Sequence, residues 1–293
     1  MIPGTDIQKM LQEKSRRITD SAGRDLRGLE DEKSMKIADE FHRSLRYVYA
    51  EALRVGIYPY RYLRNREIIS PEEQLKLAES RVAVIGAGGL GGQVIILLAR
   101  IGVGQLVVAD NDLFEEINLN RQALCSEVTL GMPKSDVAVD VVTSINPGVE
   151  VTAYQVKTDS TNIPEIINDS DVVVDALDNI PDRFVLEKAS KNMGIPMVHG
   201  ALAGFEGQIM TVFPEDKGLK LLYENERVEQ NNTKTPEAIL GIPAMTPSVV
   251  ATFQAMEVLK IILKRGKIFR NMMVYIDLEA GELNEFFFKN YDQ

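Results

Sequence analysis

Residues 81–92 read RVAVIGAGGLGG, and this stretch narrows the choice of fold more than any other in the chain. Val82 to Ile85 is an unbroken apolar run, the mark of a strand buried on both faces. Gly86-x-Gly88-x-x-Gly91 follows at once, with Gly89 and Gly92 inside the same turn. Glycine there permits a positive-φ turn and lets backbone N–H groups come close to a phosphate, whose charge the start of the next helix favours. The following apolar strand, Leu106 to Ala109, ends in Asp110, placed to accept hydrogen bonds from a ribose hydroxyl pair. Strand, glycine turn, helix, strand and acid together point to an adenine nucleotide. They do not say which one, and on these residues alone an NAD-dependent oxidoreductase is the default.

Short apolar strands recur at 149–154, 171–174 and 196–199, with helices expected over Lys134 to Ile145 and Asp182 to Asn192. Strands alternating with helices imply a mainly parallel sheet covered on both faces. Residues 208–213 and 273–277 read as further strands of antiparallel character, and 249–264 as a helix. The polar segment 217–242 crosses between them. The expected fold is therefore α/β and Rossmann-like, with an antiparallel C-terminal part, occupying residues 59–293. Residues 1–58 are expected to form a helical extension ahead of it. There Met35, Ala38, Phe41, Leu45, Val48 and Ala52 recur at three- and four-residue steps, which suggests one helix over 34–55 ended by Gly56 and Pro59.

Bulk properties exclude some functions. With 33 basic against 43 acidic side chains the formal charge is −10, a field that repels polyanions, so a nucleic-acid binder is not expected. Lys14, Arg16, Arg17, Arg24 and Arg27 cluster, but acids interleave with them, and a solvated helix surface is the expectation. The single cysteine, Cys125, can form neither an internal disulfide nor a cysteine-rich zinc site, which suits a reducing, cytoplasmic setting. The start, MIPGTDIQKM, lacks a basic-then-apolar export pattern. Residues 82–99 carry no charge, yet the glycines among them fit a strand–turn–helix better than a membrane span.

Three later features move the reading away from hydride transfer. Asn118-Leu119-Asn120-Arg121-Gln122 sets amides and a guanidinium just beyond Asp110, and arginine's planar fork suits phosphate or carboxylate oxygens. Gly131-Met132-Pro133-Lys134 places an ammonium at the head of a helix, a second positive charge of the kind nucleotidyl transfer requires. Asp175-x-x-Asp178-Asn179 ends the strand Val172 to Val174, where a carboxylate can hold Mg²⁺ against phosphate oxygens. Each has a plainer alternative: Arg121 or Lys134 as a surface ion-pair partner, Asp178 as a helix cap.

In these motifs the chain resembles the HesA/MoeB/ThiF family, bacterial relatives of ubiquitin-activating enzymes. The matching stretches are RVAVIGAGGLGG (81–92), VADNDLFEEINLNRQ (108–122), GMPKSDVA (131–138), VVVDALDN (172–179) and GALAGFEGQI (200–209), with a weaker match at TFQAMEVLK (252–260). The resemblance runs from about Tyr60 to Phe286. It implies that Gly86, Gly88 and Gly91 shape the phosphate loop and that Asp110 holds the ribose of ATP. It further implies that Asn118, Arg121 and Lys134 contact the phosphates, while Asp178 binds Mg²⁺ and the reacting centre. Gly89, Gln122 and Asn179, within the same motifs, complete the expected nucleotide site. Arg61-Tyr62-Leu63-Arg64-Asn65 is similar to the family's RYxRQ element, whose second arginine reaches a neighbouring subunit's γ-phosphate. Arg64 is thereby a candidate in-trans arginine, and a homodimer is implied.

The reaction implied is attack of a C-terminal glycine carboxylate on the α-phosphate of ATP, giving an acyl-adenylate and pyrophosphate. The expected partner is a small ubiquitin-fold sulfur carrier ending in Gly-Gly. Other readings are a different carboxylate, from a peptide or a modified tRNA base, or a nucleotide-binding scaffold without catalysis. The sequence departs from the family in having one cysteine where two CxxC pairs usually bind zinc, so no structural zinc is expected. Lys234-Thr235-Pro236-Glu237 stands where many members carry a crossover cysteine. No covalent thioester is expected on this chain.

Overall fold

The computed structural model of the chain describes residues 6–20, 23–223 and 236–288. The N-terminal extension is mixed rather than helical: α1 (Asp6–Lys14), β1 (Arg16–Thr19), β2 (Asp25–Leu29), α2 (Asp31–Phe41), α3 (Leu45–Arg54) and β3 (Ile57–Pro59). β1 pairs antiparallel with β2, and β2 runs parallel to β3. The single helix expected over 34–55 is two. His42 takes a left-handed conformation with φ 51° and closes α2, and the Ser44 hydroxyl then accepts the N–H of Tyr47 to open α3. The helical spacing survived this break because both helices bury the same face, with Ile37, Ala38, Val48 and Ala52 in one small core. The basic cluster is likewise not a helix surface. Its arginines lie on or beside the β1–β2 hairpin, where Arg16 pairs with Glu30 at 2.7 Å and Arg24 with Asp20 at 3.0 Å, while Arg27 donates to the Ser15 hydroxyl at 2.8 Å.

The extension is fastened to the main domain by Arg61 and Tyr62. Arg61 forms an ion pair with Asp31 and donates through Nη1 to the carbonyl of Ile145 at 2.9 Å. The buried Tyr62 hydroxyl accepts Nδ2 of Asn146 at 2.9 Å. The chain then enters α4 (Pro71–Glu79), opened by a Ser70–Glu73 capping box with Pro71 in the first turn.

The alternating part follows as expected: β4 (Arg81–Ile85), α5 (Gly89–Ile101), β5 (Gln105–Ala109), α6 (Lys134–Ile145), β6 (Glu150–Tyr154), α7 (Ile163–Ile166), β7 (Val172–Asp175), α8 (Ile180–Asn192) and β8 (Met197–Ala203). After it come β9 (Glu206–Val212), α9 (Pro236–Leu240), α10 (Met245–Leu263), β10 (Met272–Asp277) and β11 (Glu282–Phe287). The strands form one sheet in the order β11-β10-β9-β8-β7-β4-β5-β6. Pairing is parallel from β8 to β6 and antiparallel from β8 to β11.

Strand alternation divides the core into two layers. Val82 and Val84 pack with residues of α5, α6 and α10, while Ala83 and Ile85 pack with α7 and α8. Burying each such Val or Ile contributes about 1.5–3 kcal/mol. α10 is long and apolar enough to cross a membrane by length and composition, but it is half buried and packs as a core helix against α5 and β8. Chain order reverses between β4 and β7, so the crevice at their C-terminal ends is the topological switch point, where ligands of such sheets bind. β11 was not anticipated: its six residues are all exposed, and a strand without a buried face carries no alternation. Of the crossover segment, Gly218–Leu221 forms a 3-10 turn and Pro236–Leu240 a short helix. Residues 224–235, Lys234 and Thr235 among them, lie outside the described residues.

Candidate active site

The turn after β4 opens the site. Gly86 has φ +96°, and a β-carbon there would stand 2.5 Å from the carbonyl oxygen of Ala176. Gly91 is tighter still, since an added β-carbon would meet the Gly86 carbonyl oxygen at 1.8 Å. These two glycines let α5 begin directly over the strand end, beside the loop that follows β7. First-turn amides of a helix have no carbonyl within it to bond, and here Gly88, Gly89 and Leu90 line a cleft of about 360 Å³.

Asp110 fastens that turn to the next strand. One carboxylate oxygen accepts the N–H of Ala87 at 2.7 Å and the other that of Asp112 at 2.8 Å. Burial pushes the Asp110 carboxyl above the usual carboxylate range, against the pull of those two amides and of the Lys134 ammonium. Each oxygen retains a second lone pair for a ligand. Lys134 heads α6 and is itself buried, its ammonium 3.0 Å from the Asp112 carboxylate. Arg121 is half-buried and donates through Nη1 to the carbonyl of Ile117 and to Asn120 Oδ1, both at 2.9 Å. Asn120 in turn donates to the carbonyl of Ile242 at 3.1 Å, tying the arginine motif to the end of the crossover segment.

Asp178 is exposed at the mouth of the cleft. It is not the helix cap: that position belongs to Asn179, whose Oδ1 accepts the N–H of Asp182 at 2.9 Å and whose Nδ2 donates to Asp178 at 3.2 Å. Gln122 is buried at the edge of the cleft, with Oε1 lacking a hydrogen-bond partner among the described residues.

The cleft thus gathers Gly86, Gly88, Gly89, Asp110, Arg121, Gln122, Lys134, Asp178 and Asn179. Three residues named from sequence do not line it. Gly91 lies beneath the turn as a packing position. Asn118 is buried in a 3-10 turn, its Oδ1 accepting the N–H of Glu115 at 3.0 Å. Arg64 is exposed in the turn that precedes α4. Cys125 is also off the cleft lining, half-buried with Sγ 3.8 Å from the carbonyl oxygen of Glu115, and burial pushes its thiol up.

One pairing was missed, that of Asp175, read from sequence only as a strand-end carboxylate, with His199. Asp175 and His199 are fully buried behind the cleft, with Nδ1 of His199 2.7 Å from Oδ2 of Asp175. Burial pushes the imidazole below its ordinary value, and the Asp175 carboxylate opposes this. The two are register partners on β7 and β8, so an acid ending one parallel strand and a histidine at the matching place on the next was the available signal.

The geometry has counterparts in known proteins. The ThiF family model matches residues 62–292. The SAMP-activating enzyme E1 of Haloferax volcanii is 38% identical over 219 residues, covering 74% of this chain and 80% of that protein. The sulfur carrier protein adenylyltransferase of Thermus thermophilus is 36% identical, covering 73% of this chain and 80% of its own length. The crystal structure of E. coli MccB with ATP shares the fold, with a TM-score of 0.66 at 22% identity over 79% of this chain and 73% of that one. A glycine cradle at the switch point, the ordered motifs around it and a family match over most of the length lead to one conclusion: the chain belongs to the ThiF family.

Proposed function

We propose that the chain uses MgATP to adenylate the C-terminal glycine carboxylate of a ubiquitin-fold sulfur-carrier protein, releasing pyrophosphate. It is an adenylyltransferase of the ubiquitin-activating type. The observation that carries the reading is the convergence of Arg121, Lys134 and the carboxylate of Asp178 on one glycine-lined cleft. Hydride transfer needs none of these three, whereas a triphosphate under attack by an anion needs its charge offset. Relatives named for activating SAMP and sulfur carriers support the substrate class.

In this reading the first-turn amides of α5 and the Gly86–Gly89 backbone hold the phosphates, and Asp110 holds the ribose. The unpartnered Oε1 of Gln122 offers the nucleotide an acceptor. Arg121 and Lys134 neutralise the triphosphate, so that a carboxylate can approach the α-phosphorus and pyrophosphate can leave. The α-phosphorus–oxygen bond to pyrophosphate breaks as the bond to the carboxylate oxygen forms, and no proton moves, because the carboxylate is already ionised.

Among the described residues no three His, Cys, Asp or Glu side chains converge as a ready-made metal cage. Magnesium is usually held by one or two carboxylates together with substrate phosphates, and the exposed carboxylate of Asp178 fits that pattern. When bound, the ion would add positive charge at the phosphates. Arg64 would serve the site of a second copy in a homodimer, since it does not line the cleft of its own chain. Cys125, off the cleft and with its thiol shifted away from the thiolate, supports a reaction that ends at the adenylate. Its single thiol also suits the cytoplasm.

Exchange of labelled pyrophosphate into ATP tests the proposal. Exchange should require both Mg²⁺ and a ubiquitin-fold carrier ending in Gly-Gly. Exchange supported only by other carboxylates, or none at all, would refute it.

A further inference from the structure

From Arg183 in the wall of the cleft to the sheet behind it, five polar side chains form one hydrogen-bonded chain whose proton positions can be worked out by counting. Gln208 Nε2 and Arg183 Nη1 donate to the hydroxyl oxygen of Tyr223, at 2.8 and 3.0 Å. With that oxygen accepting twice, its own proton is left for Nε2 of His199, 3.2 Å away. Nε2 is then the bare nitrogen of the ring. Nδ1 carries the proton, and it donates to Asp175 Oδ2 at 2.7 Å. A neutral imidazole in one fixed tautomer satisfies every partner.

The other end of this chain is the backbone that carries Asp178. Asp175 Oδ1 accepts the N–H of Leu177 at 3.1 Å, and the carbonyl of Asp175 accepts Nε2 of Gln254 at 2.9 Å. The carbonyl of Leu177 accepts Nε and Nη2 of Arg183, at 3.2 and 2.7 Å. The N–H of Ala176 bonds the carbonyl of Ile85 at 3.0 Å. Three consecutive residues are thus held by buried polar groups, and Asp178 is the next in line.

Burying a carboxylate and an imidazole is expensive even when they are paired. Elsewhere the same two strands pair through Val173 with Met197 and Val174 with Val198, which shows that the sheet itself needs no such pair. The polar pair occurs where β7 ends and the loop begins. We propose that His199 is a positioning residue, whose Nδ1–H holds the Asp175 carboxylate and, through the Leu177 amide, fixes the backbone that presents Asp178 to the cleft. The proposal rests on the reading of Asp178 given above.

Two readouts on the full-length protein separate the proposal from that reading. The first is amide hydrogen exchange at Leu177, which needs no activity. In His199→Leu the Leu177 amide should exchange roughly tenfold faster, the loss of about one hydrogen bond, while the amides of β4 stay as protected as in the wild type. Tyr223→Phe, which removes only a hydroxyl, should move Leu177 in the same direction by less, and His199→Asn should restore much of the protection because its amide nitrogen can still donate to Asp175. The second readout is pyrophosphate exchange with MgATP and a ubiquitin-fold carrier ending in Gly-Gly. In His199→Leu, kcat should fall by up to about 10²-fold, the scale of a 1 Å misplacement, with KM for ATP little changed and partial recovery in His199→Asn.

Unchanged Leu177 protection in both His199→Leu and Tyr223→Phe would overturn the proposal, as would a loss of protection spread evenly over the sheet. A wild-type protein that exchanges no pyrophosphate would refute the adenylation reading alone, and the Leu177 amide would still decide the role of His199.

Discussion

The carbonyl oxygen of Gly86 lies 1.8 Å from where a β-carbon on residue 91 would stand, so Gly91 is where helix meets strand end without room for one more atom. Gly91→Ala must push backbone aside, at about 1–3 kcal/mol or more. Gly89→Ala is different, because its nearest neighbour, Pro247 Cβ, would be in ordinary contact at 3.5 Å. Denaturant unfolding should show a large loss for the first variant and near wild-type stability for the second. The second should still bind ATP more weakly, because its new methyl enters the cleft lining. Equal stability of the two would contradict the close-packed turn.

His199 gives the fold an acid sensitivity of defined sign. Burial holds the folded imidazole below its ordinary pKa, with Asp175 and Glu187 acting to raise it and Arg183 to lower it, and the Tyr223 hydroxyl alongside. The unfolded chain therefore binds the proton first as pH falls through about 6.5. This contribution to stability is complete above that pH and is lost below it, down to the folded value. Comparing His199→Asn with the wild type by urea unfolding at pH 7.5 and 5.5 should show the wild type losing more stability on acidification. A pH-independent difference would contradict the neutral buried tautomer.

Cys125→Ser should leave pyrophosphate exchange within about twofold of wild type, since surface-side substitutions away from a site are usually within ±0.5 kcal/mol. Mixing enzyme, MgATP and carrier, then running non-reducing gels, should give no thiol-sensitive conjugate. A conjugate lost in Cys125→Ser would show that the reaction continues to a thioester.

If Arg64 acts across a dimer, Arg64→Ala and Asp178→Asn should each be nearly inactive alone. Mixed and allowed to exchange subunits, they should recover up to about a quarter of wild-type activity, because one site in a heterodimer would then be intact. Activity in Arg64→Ala alone would remove the residue from the site.

The parallel half of the fold was legible because its strands are buried on both faces and read as Val/Ile runs, the first followed by a glycine turn in which Gly86 and Gly91 leave no room for a β-carbon. Asp110, Arg121, Lys134 and Asp178 were legible because each follows a strand or heads a helix at the same sheet edge. The extension misled because RRIT and DLRGL are too charged to announce strands, while Met35 to Ala52 kept helical spacing through a turn that only the left-handed His42 reveals. β11 has no buried face to read. Asp175 and His199 stand 24 residues apart, and only the register of β7 against β8 makes them neighbours.

The most direct measurement is the mass of the carrier itself. Purified protein, MgATP and a ubiquitin-fold carrier ending in Gly-Gly should yield a carrier heavier by one adenylyl group at its C-terminus, with an equivalent of pyrophosphate, and neither Asp178→Asn nor Arg121→Ala should form it. An unmodified carrier and untouched ATP, with NAD bound in the glycine cradle instead, would contradict adenylation outright.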